Sequence, residues 1–247
     1  SQPGDTVFSM LGILDKVQDV VEKGVLLGEL RGDLVKPDPF VGTSSAWVDL
    51  TRFENLENAT FNRYRDYYAI VNNCNFYLER ADAEMERRGQ KVFLKEYAAV
   101  SAYRAWAYLQ LALLYGEVPF YTQPLLSYSE IEQVMNDPSK RKGLGEICSY
   151  FIDDLLPYVD VPFPNYGNFT YDQSSSVNSS DFFLPIRLLR GDLYLWRGSL
   201  DGNKSDFAKA AQEYRDYLLS EKRFVSPDVK VAYRTVDMDG AQIVDRW

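Results

Sequence analysis

The chain of 247 residues contains no histidine, and that absence removes much of the familiar catalytic apparatus. A Ser-His-Asp triad, a Cys-His dyad and histidine-ligated metal are excluded together. Cysteine is scarce too: Cys74 and Cys148 are the only two, they lack metal-ligand spacing, and both fall on apolar helix faces, so they read as buried thiols. Positive charge is in short supply. Lys and Arg number 27 against 36 Asp and Glu, a net charge of −9. Nucleic acid is therefore a poor partner, since a phosphate backbone demands a basic surface. No glycine-rich phosphate loop follows a strand pattern, and no apolar run has the charged start and cleavage site of a signal peptide. No catalytic set, metal set or cofactor is implied.

Carboxylates alone remain for enzymatic chemistry. A pair held about 5 to 9 Å apart can hydrolyse a glycosidic bond, but 36 acidic residues make chance pairs inevitable. Asp153-Asp154 and the Glu84/Glu86 pair are expected on solvated helix faces. The chain is not expected to be an enzyme.

What is abundant is apolar and aromatic: 46% apolar, with 18 Tyr and 14 Phe, enough for one large core or two modest ones. The centre is the stretch KEYAAVSAYRAWAYLQLALLYGEVPFYTQPL, beginning at Lys95. Tyr97 to Tyr115 reads as a helix interrupted only by Ser101, Arg104 and Gln110. A helix apolar all round is buried or spans a membrane, and Arg104 and Gln110 near its middle argue for burial. Ala98, Ala102, Ala105 and Ala112 form a small stripe that lets a neighbouring helix approach. Tyr97, Tyr103, Trp106, Leu113 and Leu114 supply bulk. Gly116 ends the helix with a left-handed residue, and Pro119 keeps the following chain extended.

Other helices flank it. Val7, Met10, Leu11, Leu14, Val17, Val20 and Val21 predict an opening helix capped by Asp5 or Thr6 and closed by Gly24. A second begins at Asn58 or Thr60, follows Tyr64, Tyr67, Tyr68, Val71, Cys74, Asn75, Leu78, Ala81 and Met85, and ends at Gly89. It forms an antiparallel hairpin with the central helix through a short Gly-Gln turn. Ser127 and Glu130 have capping-box spacing ahead of a short helix to Met135. Leu144, Ile147, Cys148, Phe151, Ile152 and Leu155 mark another, stopped at Pro157. Residues 157–180 read as a surface loop. Phe182 to Ser199, capped by Ser180 or Asp181, pairs with a last helix capped by Ser205 or Asp206 and carrying Phe207, Ala210, Ala211, Tyr214, Tyr217 and Leu218. This second hairpin has a tetratricopeptide-like pattern without that repeat's Gly and Pro marks. Gly191 admits close packing there. The fold class is thus mainly α, built of antiparallel helix hairpins with long irregular loops.

A family pattern runs through the central stretch. An alanine-rich R-A-x-x-Y-x-x-L helix leads into hydrophobic-Y/F-G-x-V-P-hydrophobic, then a short extended piece ending near Pro-Leu. Arg104, Ala105, Tyr108, Leu111, Tyr115, Gly116, Val118, Pro119, Pro124 and Leu125 occupy those places. YYAIVNNCNFYLERAD matches a second family helix with Asn75 at its asparagine, and EICSYFIDDLLPY a third. In these motifs the chain resembles the N-terminal region of the SusD/RagB family, surface glycan-binding lipoproteins of Bacteroidetes. The resemblance implies one SusD-like helical domain over residues 1–247, in a shortened form lacking most of the C-terminal subdomain. It also implies non-catalytic capture of glycan or another nutrient such as peptide, and delivery to a SusC-like TonB-dependent transporter at the outer membrane. The lipid-anchored cysteine of the family's precursors has no counterpart near Ser1.

Sugar capture needs flat aromatic faces and planar polar groups that reach hydroxyl pairs. Trp47 is the candidate ring, because residues 26–51 show no helical period and carry Gly28, Gly32, Pro37, Pro39 and Gly42. Arg31, Asp33 and Asp49 are its polar partners. A loop anchor packed on the first helix hairpin is the other role open to Trp47. Trp106 and Trp196 lie in helix stripes and are expected in the core. Asn75 is expected to be buried and bonded to neighbouring backbone. The tripeptide Arg-Gly-Asp occurs at both residues 31–33 and residues 190–192, as chance allows. The competing function is a tetratricopeptide-type protein–protein scaffold that binds no sugar.

Overall fold

The computed structural model describes residues 9–21, 64–170 and 176–220, and within them the chain is mainly helical. The chain divides into two compact units, Ser1–Leu184 and Pro185–Trp247. Among the described residues no helix is long and apolar enough to cross a membrane.

In the first unit, α1 covers residues 9–21. Its buried stripe is Met10, Ile13, Val17 and Val20, a run at three- and four-residue steps. Leu11 and Val21, expected in that stripe, are exposed. Helix α2 is Tyr64–Arg80 and α3 is Leu94–Tyr115. They run antiparallel, as the pairs Tyr64–Tyr115, Tyr68–Tyr108 and Asn75–Arg104 show. Helix α2 ends nine residues before Gly89. Between the helices lies a tiny hairpin, β1 (Glu86–Arg87) with β2 (Gln90–Lys91). Arg88 and Gly89 both have positive φ, 53° and 75°. Two such residues make the tight hairpin turn that matches strand twist, so the backbone leaves the helical region well before Val92.

The central helix α3 is buried all round from Ala98 to Ala105, Ser101 and Arg104 included. The four stripe alanines are all buried, Trp106 is half-buried, and Leu114 at the last turn is exposed. Gly116 takes φ 76° and ψ −124°. That is the mirror image of extended backbone, open to glycine, and not the helical left-handed cap expected there. It turns the chain sharply into β3 (Val118–Pro119), which pairs antiparallel with β4 (Arg141–Lys142).

Between those strands, α4 (Tyr128–Asn136) has the predicted capping box. Glu130 N donates to the Ser127 hydroxyl at 3.2 Å, and the Glu130 carboxylate accepts from Ser127 N at 3.3 Å. Helix α5 (Leu144–Asp154) packs on α3 through Ile147, Cys148, Phe151 and Ile152, as the spacing predicts. Pro157 lies in the single 3-10 turn that follows. The expected loop 157–180 contains a hairpin, β5 (Asn168–Thr170) with β6 (Ser176–Asn178).

In the second unit, α6 is Ile186–Asp201 and α7 is Lys204–Ser220. Helix α6 starts four residues later than expected. Pro185 disfavours the helical conformation at Leu184, and Ser180 and Asp181 sit in an earlier 3-10 turn. The cap of α7 is Asn203, whose side chain accepts from Ser205 N at 3.0 Å. Asp206 is instead buried and grips Arg197 through two bonds of 2.7 and 2.8 Å. Glu213 likewise holds Arg190 at 3.0 Å and Arg187 at 3.2 Å. With these ion pairs Asp206, Ala210 and Glu213 of α7 are buried, while Phe207, whose ring lies against Gly198, and Leu218 of the expected stripe stay partly exposed. Trp196 is 41% exposed and not a core residue. Leu189 and Leu193 supply the buried bulk one and two turns earlier.

Gly191 lets the two helices meet. A methyl group there would lie 2.3 Å from Tyr214 Cε1 and 2.7 Å from its Cδ1. Gly191→Ala is expected to destabilise the protein by about 1–3 kcal/mol through overpacking, against a helix-propensity gain of about 1 kcal/mol. Thermal melts of Gly191→Ala, Tyr214→Ala and the double variant check this: shortening Tyr214 removes the clash, so the double variant is expected to be less destabilised than the sum of the two single variants.

Candidate functional site

After β3 the chain continues as a strap over α2 and α3. Every second carbonyl along it is captured by a side chain from those helices. The Tyr68 hydroxyl donates to Pro119 O at 2.6 Å. The Tyr108 hydroxyl donates to Tyr121 O at 2.7 Å and accepts from Tyr121 N at 2.9 Å. Asn75 Nδ2 donates to Tyr121 O and Gln123 O, each at 3.3 Å. The Asn72 amide donates to Leu125 O at 3.0 Å and accepts from Leu125 N at 2.8 Å. Extended backbone alternates with period two, which places residues 119, 121, 123 and 125 on one edge. Tyr68, Asn72 and Asn75 stand on successive turns of α2 and so face that edge together. On the other edge Phe120 N donates to Lys140 O at 2.8 Å.

Beneath the strap lies a charged group. Arg104 is only 7% exposed. Its Nη1 donates to Asn75 Oδ1 at 3.1 Å and its Nη2 to Asp154 Oδ2 at 3.2 Å, while its Nε is buried with no partner. Asn75 is therefore bonded on both sides of its amide, to backbone as expected and to a guanidinium as well. Asp154 was expected on a solvated face, yet its side chain is 25% exposed because Arg104 draws it inward. A buried guanidinium without a carboxylate is costly, and α5 supplies that carboxylate.

Three tyrosines surround this ion pair. Tyr97 lies seven residues before Arg104 on α3, and its ring meets that of Tyr158 at 5.6 Å with a 49° tilt. Tyr150, one turn before Asp154, is 37% exposed and reaches Thr122 of the strap through its hydroxyl. Burial, then the neighbouring Tyr97 and Asp154, pushes the Tyr158 hydroxyl up to about 12. Burial, then the Asp154 charge, also raises Tyr150. The Tyr150 and Tyr158 hydroxyls are therefore neutral donors and acceptors near neutral pH. The result is a patch of partly exposed rings around one carboxylate, seated on a buried cation.

The predicted site residues Trp47, Arg31, Asp33 and Asp49 lie outside the described residues. So do the expected irregular segment 26–51 and the closing residues 224–247. Cys74 and Cys148 are both buried, and burial pushes the Cys74 thiol up to about 12. Arg190, Gly191 and Asp192 sit inside α6, where the tripeptide is not presented as a loop. By sequence alone Tyr97 reads as bulk packing and Asp154 as a solvent carboxylate. The available signal was spacing: Tyr150, Asp154 and Tyr158 recur every four residues, and Tyr97 and Arg104 lie seven apart. No group of His, Cys, Asp and Glu suited to a metal ion occurs among the described residues. Comparison with protein-family models, with curated proteins and with solved structures gave no match.

Two predictions follow from the clamps. Asn75→Ala strands Arg104 Nη1 and the Gln123 carbonyl, while Tyr121 O keeps Tyr108, and is expected to cost about 3 kcal/mol or more, against about 1–3 kcal/mol for Tyr108→Phe; urea unfolding measures both. The second concerns alkaline pH. Burial raises Tyr68, Tyr103, Tyr108 and Tyr121 well above their ordinary value. Unfolded tyrosine ionises near about pH 10, so their contribution is complete below that and is lost as pH rises towards the folded values. Each adds up to about 1.4 kcal/mol per pH unit to the fall. Urea midpoints measured from about pH 9.5 to about pH 11 are expected to drop steeply. Tyr108→Phe is expected to flatten the slope.

Proposed function

We propose that the protein is a non-catalytic cell-surface component that binds glycan or another nutrient and delivers it to a partner outer-membrane TonB-dependent transporter. In this reading it is SusD-like and lipid-anchored in its precursor. Its antiparallel pairs α2/α3 and α6/α7 are tetratricopeptide-like hairpins, and residues 28–51 meet the ligand. One observation carries the proposal. The residues of the family-like pattern act as a single device, with Arg104 under the strap, Tyr108 clamping Tyr121, Gly116 turning the chain, and Pro119 held by Tyr68. A chance match of the letters has no reason to converge on one set of contacts.

The alternative is a tetratricopeptide-type scaffold that binds a protein and no sugar. It draws support from Leu195, Trp196 and Leu200, which are exposed at the end of α6. A glycan array probed with the whole protein separates the two. The expected result is retention of one oligosaccharide class, no new reducing ends on incubation with it, and a signal reduced about tenfold by Trp47→Ala, the equivalent of one lost aromatic contact. A blank array beside co-purification of a protein other than a TonB-dependent transporter would favour the scaffold. New reducing ends would mean a glycosidase.

A further inference from the structure

The geometry points to a second ligand-binding patch, formed by Tyr97, Tyr150, Asp154 and Tyr158 above Arg104, that takes a neutral polyhydroxylated molecule such as a saccharide. It deepens the nutrient-binding reading above and rests on it, but uses none of the residues 28–51.

The chemistry of the patch chooses the ligand. Partly exposed phenol rings offer flat faces for C–H surfaces and hydroxyls that both donate and accept. Asp154 gives Oδ2 to Arg104 at 3.2 Å, and a carboxylate has about four lone-pair sites, so capacity remains for hydroxyl donors. A ring of tyrosines with a carboxylate also describes a cage for a cation. Arg104 decides against that. The carboxylate is already neutralised by a buried guanidinium, and an incoming ammonium would compete for the same oxygens while facing a fixed positive charge. An anion is opposed by Asp154 at the surface. A neutral molecule with adjacent hydroxyls meets neither penalty.

The surroundings hold the groups still. Asp154 is tied to Arg104, Arg104 to Asn75, and Asn75 to the strap. The Tyr150 ring packs on Phe120 at 4.9 Å and on Phe151 at 5.0 Å. Tyr158 leans on Tyr97. Ligand binding therefore orders little that is not already ordered, which favours affinity.

The test is isothermal titration of the whole protein with maltohexaose, cellohexaose, xylohexaose and laminarihexaose, with hexalysine as the cationic probe. Asp154→Asn leaves Arg104 without its counter-charge and threatens folding, so the deciding variants are Tyr150→Ala and Tyr158→Ala. Their folding is checked by circular dichroism. Tyr158→Phe keeps the ring. The expected result is that one saccharide binds, that both alanine variants weaken it about tenfold or more, and that Tyr158→Phe retains most of the affinity, as ring stacking requires. Equal binding by wild type and both alanine variants would overturn the patch and leave the nutrient-binding reading standing. Binding of none of the four saccharides would also overturn the patch, while the nutrient-binding reading is decided by the glycan array. Binding of hexalysine alone would make the patch a cation cage and overturn the inference.

Discussion

The first unit depends on a backbone segment whose polar groups are met by side chains. An extended strand inside a protein usually pairs with a second strand, and here the β3–β4 pairing is brief. Two phenol hydroxyls and two carboxamides complete the bonding. Tyr68, Asn72, Asn75 and Tyr108 stand in for a missing neighbour strand. Each is large enough to reach across from a helix and polar enough to satisfy a buried carbonyl, which buried backbone requires. The helix pair α2/α3 is thereby joined to α5 through a connector and does not rely on apolar contact alone.

Arg104 is the costly member of this arrangement. Burying a guanidinium is tolerated because Asn75 and Asp154 meet it, and each of those has another task. Asn75 closes on the strap, and Asp154 stands at the surface among three tyrosines. One ion pair thus links the stability of the core to the character of the patch. The second unit uses the same device differently. Arg187, Arg190 and Arg197 meet Glu213 and Asp206 along the α6/α7 seam, where Gly191 and Gly198 make room for the rings of Tyr214 and Phe207.

Much of this was legible in the residues. The buried character of Ala98 to Ala112, the stripe Ile147–Leu155, the Ser127/Glu130 cap and the burial of Asn75 all follow from local spacing and propensity. What escaped depends on partners far along the chain. Periodicity places Phe207 and Asp206 on adjacent faces of α7 and cannot tell which is turned inward until the arginines of α6 are opposite. Asp154 looks like a solvent carboxylate until Arg104, 50 residues away, needs a counter-charge. The β1/β2 hairpin escaped for a different reason: Arg88 takes a positive φ, a state that an arginine rarely advertises. Of the candidate site, the carboxylate and rings were visible only as letters at four-residue intervals. Their meeting is a property of tertiary packing.

The alternation of the strap has a further consequence for how such a chain tolerates change. Because only the odd-numbered carbonyls between 119 and 125 face their clamps, the segment obeys a parity rule. Inserting or deleting one residue would turn every later carbonyl away from its tyrosine or asparagine, whereas a change of two would leave the facing intact. Length variation between Gly116 and Ser127 is therefore constrained to even steps, even though most of that span forms no regular secondary structure.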